Sequence, residues 1–155
     1  MLAVGRLKAG PERELAAHYL ERARRTGGGL GFRGFEVREI AESRAARAVD
    51  RIAEEGAALA AQLAAGGRIV ALDPAGELLS SEVLAERLRT DNDAGVARTI
   101  FVIGVPDGLG PEPALADRRV SFGRMTFPHG LVRILLAEQL YRAMTILSGH
   151  PYHRA

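Results

Sequence analysis

The chain has no cysteine. It can form neither a disulfide framework nor a thiolate metal site, which suits a reducing compartment. No apolar run approaches the roughly 20 residues that span a bilayer, and Met1 to Gly5 is too short and too soon polar for a signal peptide. The expected location is therefore the cytoplasm, with no membrane partner. No Gly-x-Gly-x-x-Gly opens a helix and no Gly-x-x-x-x-Gly-Lys-Ser occurs, so neither a dinucleotide nor a nucleoside triphosphate is indicated. Gly-x-Ser-x-Gly is absent as well, which argues against a serine hydrolase. The histidines are not at ligand spacing and His150 and His153 lack a companion carboxylate nearby, so no metal is expected. There is no internal repeat and no low-complexity linker.

What is present is enough apolar sequence for one core: 155 residues, 47% of them hydrophobic, predict a single domain over residues 1–155. The formal net charge of +2 hides an asymmetry. From Arg118 onward, six arginines (118, 119, 124, 133, 142 and 154) face one acid, Glu138, a balance of +5 that leaves the first 117 residues at −3. His129, His150 and His153 lie in the same basic end. Such a distribution points toward an anionic partner such as nucleic acid, although a basic tail taken alone more often marks a solvated face.

Five short apolar runs alternate with helical patterns: Leu2 to Val4, Phe35 to Ile40, Arg68 to Asp73, Thr99 to Gly104 and Arg119 to Phe122. That alternation predicts an α/β fold with a parallel sheet covered on both faces. Helices are expected from Pro11 to Arg25, ended by Gly27 to Gly29; from about Ser43 to Leu63, ended by Gly66 and Gly67; from an N-cap at Ser80 or Ser81 to Arg89; and from Leu131 to Leu147. The last is apolar nearly all round, so it needs burial on more than one side, and a subunit interface is the easiest source. The glycine-rich stretch at 27–31 reads as a connection rather than a phosphate cradle, since no helix start follows it.

Three segments leave strands through Gly, Pro and Asp: Leu72-Asp73-Pro74-Ala75-Gly76, Ile103-Gly104-Val105-Pro106-Asp107-Gly108, and Ser121-Phe122-Gly123-Arg124-Met125-Thr126-Phe127-Pro128-His129. Each alone is ordinary turn chemistry. In a parallel sheet all three exit at the carboxyl ends of strands, where ligands bind, and together they predict one pocket of backbone groups and apolar walls.

At these residues the sequence resembles a known family. Phe101-Val102-Ile103-Gly104, Pro106-Asp107-Gly108-Leu109, Met125-Thr126-Phe127-Pro128-His129, Glu138-Gln139-Leu140-Tyr141-Arg142-Ala143 and the ending Pro151-Tyr152-His153-Arg154 resemble the ribosomal RNA large subunit methyltransferase H family. The likeness extends back through Leu72-Asp73 to Val4-Gly5. It implies a SPOUT fold with a carboxyl-terminal trefoil knot, a homodimer, and methylation of N3 of a pseudouridine in 23S rRNA, with S-adenosylmethionine as donor. By the same likeness the donor contacts Leu72, Gly104 and the stretch Phe122, Gly123, Arg124, Met125, Thr126 and Phe127. Two positions depart from the family pattern: Val105 stands where a second glycine is common, and Ser121-Phe122-Gly123 replaces the usual Ser-Leu-Ser or Ser-Leu-Gly.

The reaction needs the N3 proton removed and the ring nitrogen aligned behind the methyl carbon. A terminal Tyr152-His153-Arg154 would ordinarily be a frayed end. The resemblance instead places it in the active site, in its own subunit or a partner's: Tyr152 to stack on a flipped base, Arg154 to bind phosphate, His153 to take or relay the proton. His129 reads equally as a capping or a functional histidine. Glu138 and Arg142 have the i, i+4 order that favours a helix ion pair, with Arg142 the one expected to reach substrate or the donor carboxylate. Arg133, on roughly the opposite face, is expected to serve the dimer or the RNA. A non-catalytic RNA-binding protein of the same fold is the alternative, with Val105 as its support. A SPOUT enzyme acting on transfer RNA usually carries an RNA-binding extension that this chain lacks, so the expected substrate is a preformed surface such as the large subunit or assembled ribosome.

Overall fold

A computed structural model describes residues 1–104 and 116–153. Val105, the Pro106 to Leu109 motif and Arg154 lie outside the described residues. The contacts within the chain gather into two compact units: Met1–Arg6, Val37–Leu78 and Arg98–His129 form one, and Leu7–Glu36, Leu79–Ala97 and Gly130–Ala155 the other.

The described part of the first unit is a five-stranded sheet with one helix. Its strands are β1 (Leu2–Val4), β2 (Arg38–Ile40), β3 (Arg68–Leu78), β4 (Thr99–Ile103) and β5 (Arg118–Ser121), in the order β2-β1-β4-β3-β5. Every pairing is parallel, as the alternation with helical segments predicted. Registers such as Leu2 opposite Val102 put like-facing side chains on one pleat. On one face Leu2, Val4 and Val102 pack with Leu59 and Leu63 of α2 (Ala48–Leu63), edged by Ile40, Ile69 and Ile100. Leu59 is 2% exposed, and burying a leucine this fully stabilises by about 1.5–3 kcal/mol. Ala3, Val70, Phe101, Ile103 and Val120 point to the other face and are buried too, so the central strands read as continuous apolar runs.

Two boundaries in this unit differ from the sequence-based expectation. Residues 43–47 do not begin α2. The Ser43 N–H donates to Glu55 Oε1 at 2.8 Å, Ala45 N–H donates to Ser43 Oγ at 3.1 Å, and Arg51 reaches the carbonyls of Ala45 and Ala46 at 3.2 Å. Serine thus offers the backbone a local alternative to the helix. Nor is Leu72 to Gly76 a loop. β3 continues to Leu78, and its pairing with β5 slips between Leu72 and Glu77, both of which lie opposite Val120. An irregularity of this kind adds residues to one strand without ending it. Gly76 sits where this happens, and a Cβ there would stand 2.7 Å from backbone atoms of Val120. β2 is also shorter than expected, starting at Arg38 rather than Phe35.

The second unit is helical: α1 (Pro11–Gly28), α3 (Ser81–Asp93) and all of α4 (His129–Leu147) after its first residue. Pro11 opens α1 as expected, with Glu12 and Glu14 in the first turn and Arg25 in the last, each complementing the helix dipole. The helix runs through Gly27 and ends at Gly28, inside the glycine run rather than before it. It buries Ala16, Leu20, Ala23 and Gly27, and a Cβ on Gly27 would lie 2.9 Å from Met144 Sδ and 3.1 Å from the Phe35 ring. Gly27 therefore serves close packing inside a helix rather than chain reversal. Ser80 caps α3, its hydroxyl accepting from Val83 N–H at 3.3 Å, and α3 runs a turn beyond Arg89. Along α4, Leu136, Ala137, Leu140, Ala143 and Met144 are buried. Arg133 is only 1% exposed, so it lies inside the subunit and does not offer a surface charge to RNA.

Candidate active site

The first unit brings most of the expected donor-binding residues to one edge. Leu72 lies opposite Ile103 of β4 on one side and Val120 of β5 on the other, and Gly104 and Phe122 are the next residues after β4 and β5. β4 and β5 thus end on either side of Leu72, so Gly104 and the segment from Phe122 emerge beside it at the carboxyl ends of two parallel strands, the place where such sheets bind ligands, while β3 itself runs on to Leu78. Ser121, buried, organises the exit: its Oγ accepts from Gly123 N–H at 3.1 Å and lies 2.9 Å from the Gly123 carbonyl and 3.2 Å from that of Pro74. Gly123 has φ of +136° and open space where a Cβ would be, so the main chain can be approached closely there. Phe122 and Phe127 are half-buried, Arg124 and Thr126 are exposed, and Met125 is 74% exposed. Met125, between the two half-buried phenylalanines of the segment, thus presents apolar surface to the outside.

Asp73, next along β3, accepts from Ala75 N–H at 2.8 Å and meets Arg119 at 3.3 Å. His129 belongs to the same unit and lies beside Gly5, whose absent Cβ would stand 3.3 Å from its Nε2. Gly5 has φ of +83°, a conformation that suits glycine, and this lets β1 end tightly against the imidazole.

The second unit holds the tail. Glu138 of α4 accepts from Arg142 Nη2 at 2.5 Å and from the Tyr152 hydroxyl at 3.1 Å on the same oxygen, while its other oxygen accepts from Gln139 at 2.7 Å. Gln139 in turn accepts from Ser81 at 2.7 Å. Glu138 is therefore more than the partner of one arginine, because it also anchors the tail tyrosine. The Tyr152 ring lies 4.6 Å from that of Tyr141, with the Arg142 guanidinium 5.0 Å and the Arg22 guanidinium 5.2 Å from its centre. Burial first, and then the charge of Glu138 and the nearby Tyr19, pushes the Tyr152 phenol up to about 12. At neutral pH it is a neutral ring and hydrogen-bond donor, and it cannot be the group that accepts a proton. The hydrogen bond to Glu138 holds the Arg142 guanidinium above its usual value, so its charge is permanent.

His153 does not join this cluster. Its Nε2 lies 2.8 Å from Glu82 of α3, within ion-pair distance when the imidazole is protonated, although the approach is not that of an aligned hydrogen bond. Sequence reading gives no role to Arg22 or Tyr19, and marks Tyr141 only as part of the motif from Glu138 to Ala143. Tyr19 and Arg22 are three apart and so share a face of α1, but nothing in a single sequence pairs that face with a helix more than a hundred residues later. Among the described residues, no group of three or more His, Asp or Glu is placed to hold a metal ion, and no helix is long and apolar enough to cross a membrane.

The family model described as "Predicted SPOUT methyltransferase" matches residues 1–153. A protein of Methylobacterium radiotolerans named ribosomal RNA large subunit methyltransferase H is 56% identical over 156 residues, covering 99% of this chain and 95% of the relative. Proteins of the same name from Xanthobacter autotrophicus and Rhodopseudomonas palustris are 52% and 53% identical, each covering 100% of this chain and 98% of the relative. With the match running from the first strand through the tail histidine, the chain belongs to the SPOUT methyltransferase family.

Proposed function

We propose that the protein transfers a methyl group from S-adenosylmethionine to N3 of a pseudouridine in 23S rRNA, acting on the large subunit or the assembled ribosome. It does so as a cytoplasmic homodimer, each chain a single SPOUT domain over residues 1–155 with a carboxyl-terminal trefoil knot. The observation that carries this reading is full-length similarity, at 52% to 56% identity, to relatives named for large-subunit ribosomal RNA methylation. The strand-end geometry supports the donor assignment: adenine needs an apolar slot and backbone hydrogen bonds, and Leu72, Phe122, Met125 and Phe127 around Gly104 and Gly123 offer both.

When bound, the donor supplies an electrophilic sulfonium methyl. The chain's own residues do the rest. The strand-end segment holds the adenosine and keeps water from it. Tyr152, neutral at working pH, stacks on the extruded base. Arg142 and Arg154 hold anionic groups of the substrate or the donor carboxylate. The N3 proton leaves through an imidazole, His153 or His129, or through a water that one of them orders. Leu131 of α4, 42% exposed on a helix whose other apolar residues are largely buried, supports burial against a second copy.

The test is calorimetric titration with S-adenosylmethionine and its demethylated product, followed by transfer of labelled methyl to ribosomes and mass spectrometry of the modified nucleoside. Micromolar binding, label in 23S rRNA of ribosomes and little in free RNA fragments is the expected result. A folded protein that binds no donor overturns the reading in favour of a non-catalytic RNA-binding protein.

A further inference from the structure

The contacts that hold Tyr152 come from two sources. Glu138 and Arg142 belong to α4, the helix from which the tail itself emerges. Arg22 comes from α1. Its guanidinium carbon lies 4.2 Å from the centre of the Tyr141 ring and 5.2 Å from that of Tyr152, and its Nη2 donates to the Tyr141 hydroxyl at 2.7 Å across 119 residues of sequence. Tyr19, one turn earlier on α1, approaches Tyr141 at 6.3 Å between ring centres. A guanidinium can stack on an aromatic face and donate in its own plane at once, which an ammonium cannot do. We propose that Arg22 is a positioning residue for methyl transfer: it locks Tyr141 and, through that ring, fixes the plane of Tyr152 against which the substrate base stacks.

The physical case is the usual fate of a chain end. A segment a few residues past a helix frays unless something outside the helix holds it. The tail leaves α4 through the turn at Gly149, whose φ is +68°, and the approach of His153 to Glu82 of α3 holds the residue after Tyr152 rather than the Tyr152 ring. Arg22 adds a fixed point on another helix. Misplacing a reacting partner by about 1 Å can lower a rate about a hundredfold, so loss of this contact shows in turnover rather than in donor affinity, which belongs to residues at the strand ends.

The proposal rests on the tail being part of the active site, and the experiment separates the two ideas. Arg22→Met, Arg22→Lys, Tyr152→Ala and the Arg22→Met/Tyr152→Ala double variant of the full chain are assayed with labelled S-adenosylmethionine on ribosomes, alongside donor titration. Expected are a fall of about tenfold or more in kcat for Arg22→Met with unchanged donor affinity, partial recovery in Arg22→Lys, and a double variant no worse than Tyr152→Ala alone. That last result is the mark of a residue acting through another. A double variant whose loss is the product of the two single losses, or an Arg22→Met variant with full kcat, overturns the proposal while leaving the tail reading in place. Full activity in Tyr152→Ala overturns the tail reading, and the role of Arg22 falls with it.

Discussion

Gly76→Ala tests how the irregularity in β3 governs the donor-binding edge. A Cβ at position 76 would lie 2.7 Å from the backbone N and C of Val120 and 2.8 Å from the carbonyl carbon of Arg119, well inside carbon contact distance. The obstruction is main chain of the neighbouring strand, which cannot turn aside as a side chain can. Overpacking of a well-packed interior costs about 1–3 kcal/mol, and the upper end applies here because relief requires moving β5. Val120 and Ser121 lead directly into Phe122 and Gly123, so that movement carries the proposed donor contacts with it. Urea denaturation is expected to give a destabilisation of about 2–3 kcal/mol, and calorimetry a donor affinity at least about tenfold weaker, equivalent to about 1.4 kcal/mol. Gly28→Ala is the control. It lies in α1 with open space at the Cβ position, and alanine there should stabilise by about 0.4–1 kcal/mol without altering donor binding. A Gly76→Ala protein as stable as the parent, with unchanged donor affinity, would refute the link between the slipped register and the binding edge.

Three further outcomes are expected. Ser80→Ala removes the side-chain cap of α3 and should cost about 1 kcal/mol in denaturant unfolding, with donor binding intact. Truncation after Pro151 should abolish methyl transfer while sedimentation and calorimetry show the same assembly and donor affinity; loss of assembly would make the tail structural instead. Because the Tyr152 phenol is pushed up to about 12 from an ordinary value of 10, the folded protein keeps a proton that the unfolded chain loses in that interval. Its contribution to stability is fully present below pH 10 and is lost as pH rises toward 12. Alkaline unfolding of Tyr152→Phe should lack that component, and identical alkaline profiles in the two proteins would contradict the burial argument.

Much of the candidate site was legible because it lies at strand ends. Glycines and apolar residues that close consecutive α/β units mark the carboxyl edge of a parallel sheet whatever the strand order, and that rule reaches Gly104 and the segment from Phe122; Leu72 lies inside β3, which runs on to Leu78, and the donor role of all these residues came from the family likeness. The family likeness supplied the tail. Glu138 was underrated: the i, i+4 rule sees its bond to Arg142, whereas its bond to Tyr152 depends on the chain folding back past Gly149. Arg22 was given no role because an arginine on an amphipathic helix, here one of four in α1, reads as a solvated face. Arg133 was expected to serve the dimer or the RNA from the face of α4 opposite Arg142, and burial to 1% exposure corrects it.

The sequence by itself determined what depends on neighbours a few positions away: Pro11 opening α1, Ser80 capping α3, the Glu138–Arg142 pair and the alternation that requires a parallel sheet. These arise from local sterics and hydrogen bonding, which a short window contains. Tertiary structure decided the order β2-β1-β4-β3-β5, the slipped pairing that keeps residues 73–76 inside β3, the close approaches at Gly27 and Gly76, and the placing of Arg22 against the Tyr141 and Tyr152 rings. Each of these turns on the close approach of segments far apart in the chain, and such an approach exists only once the helices and strands have packed.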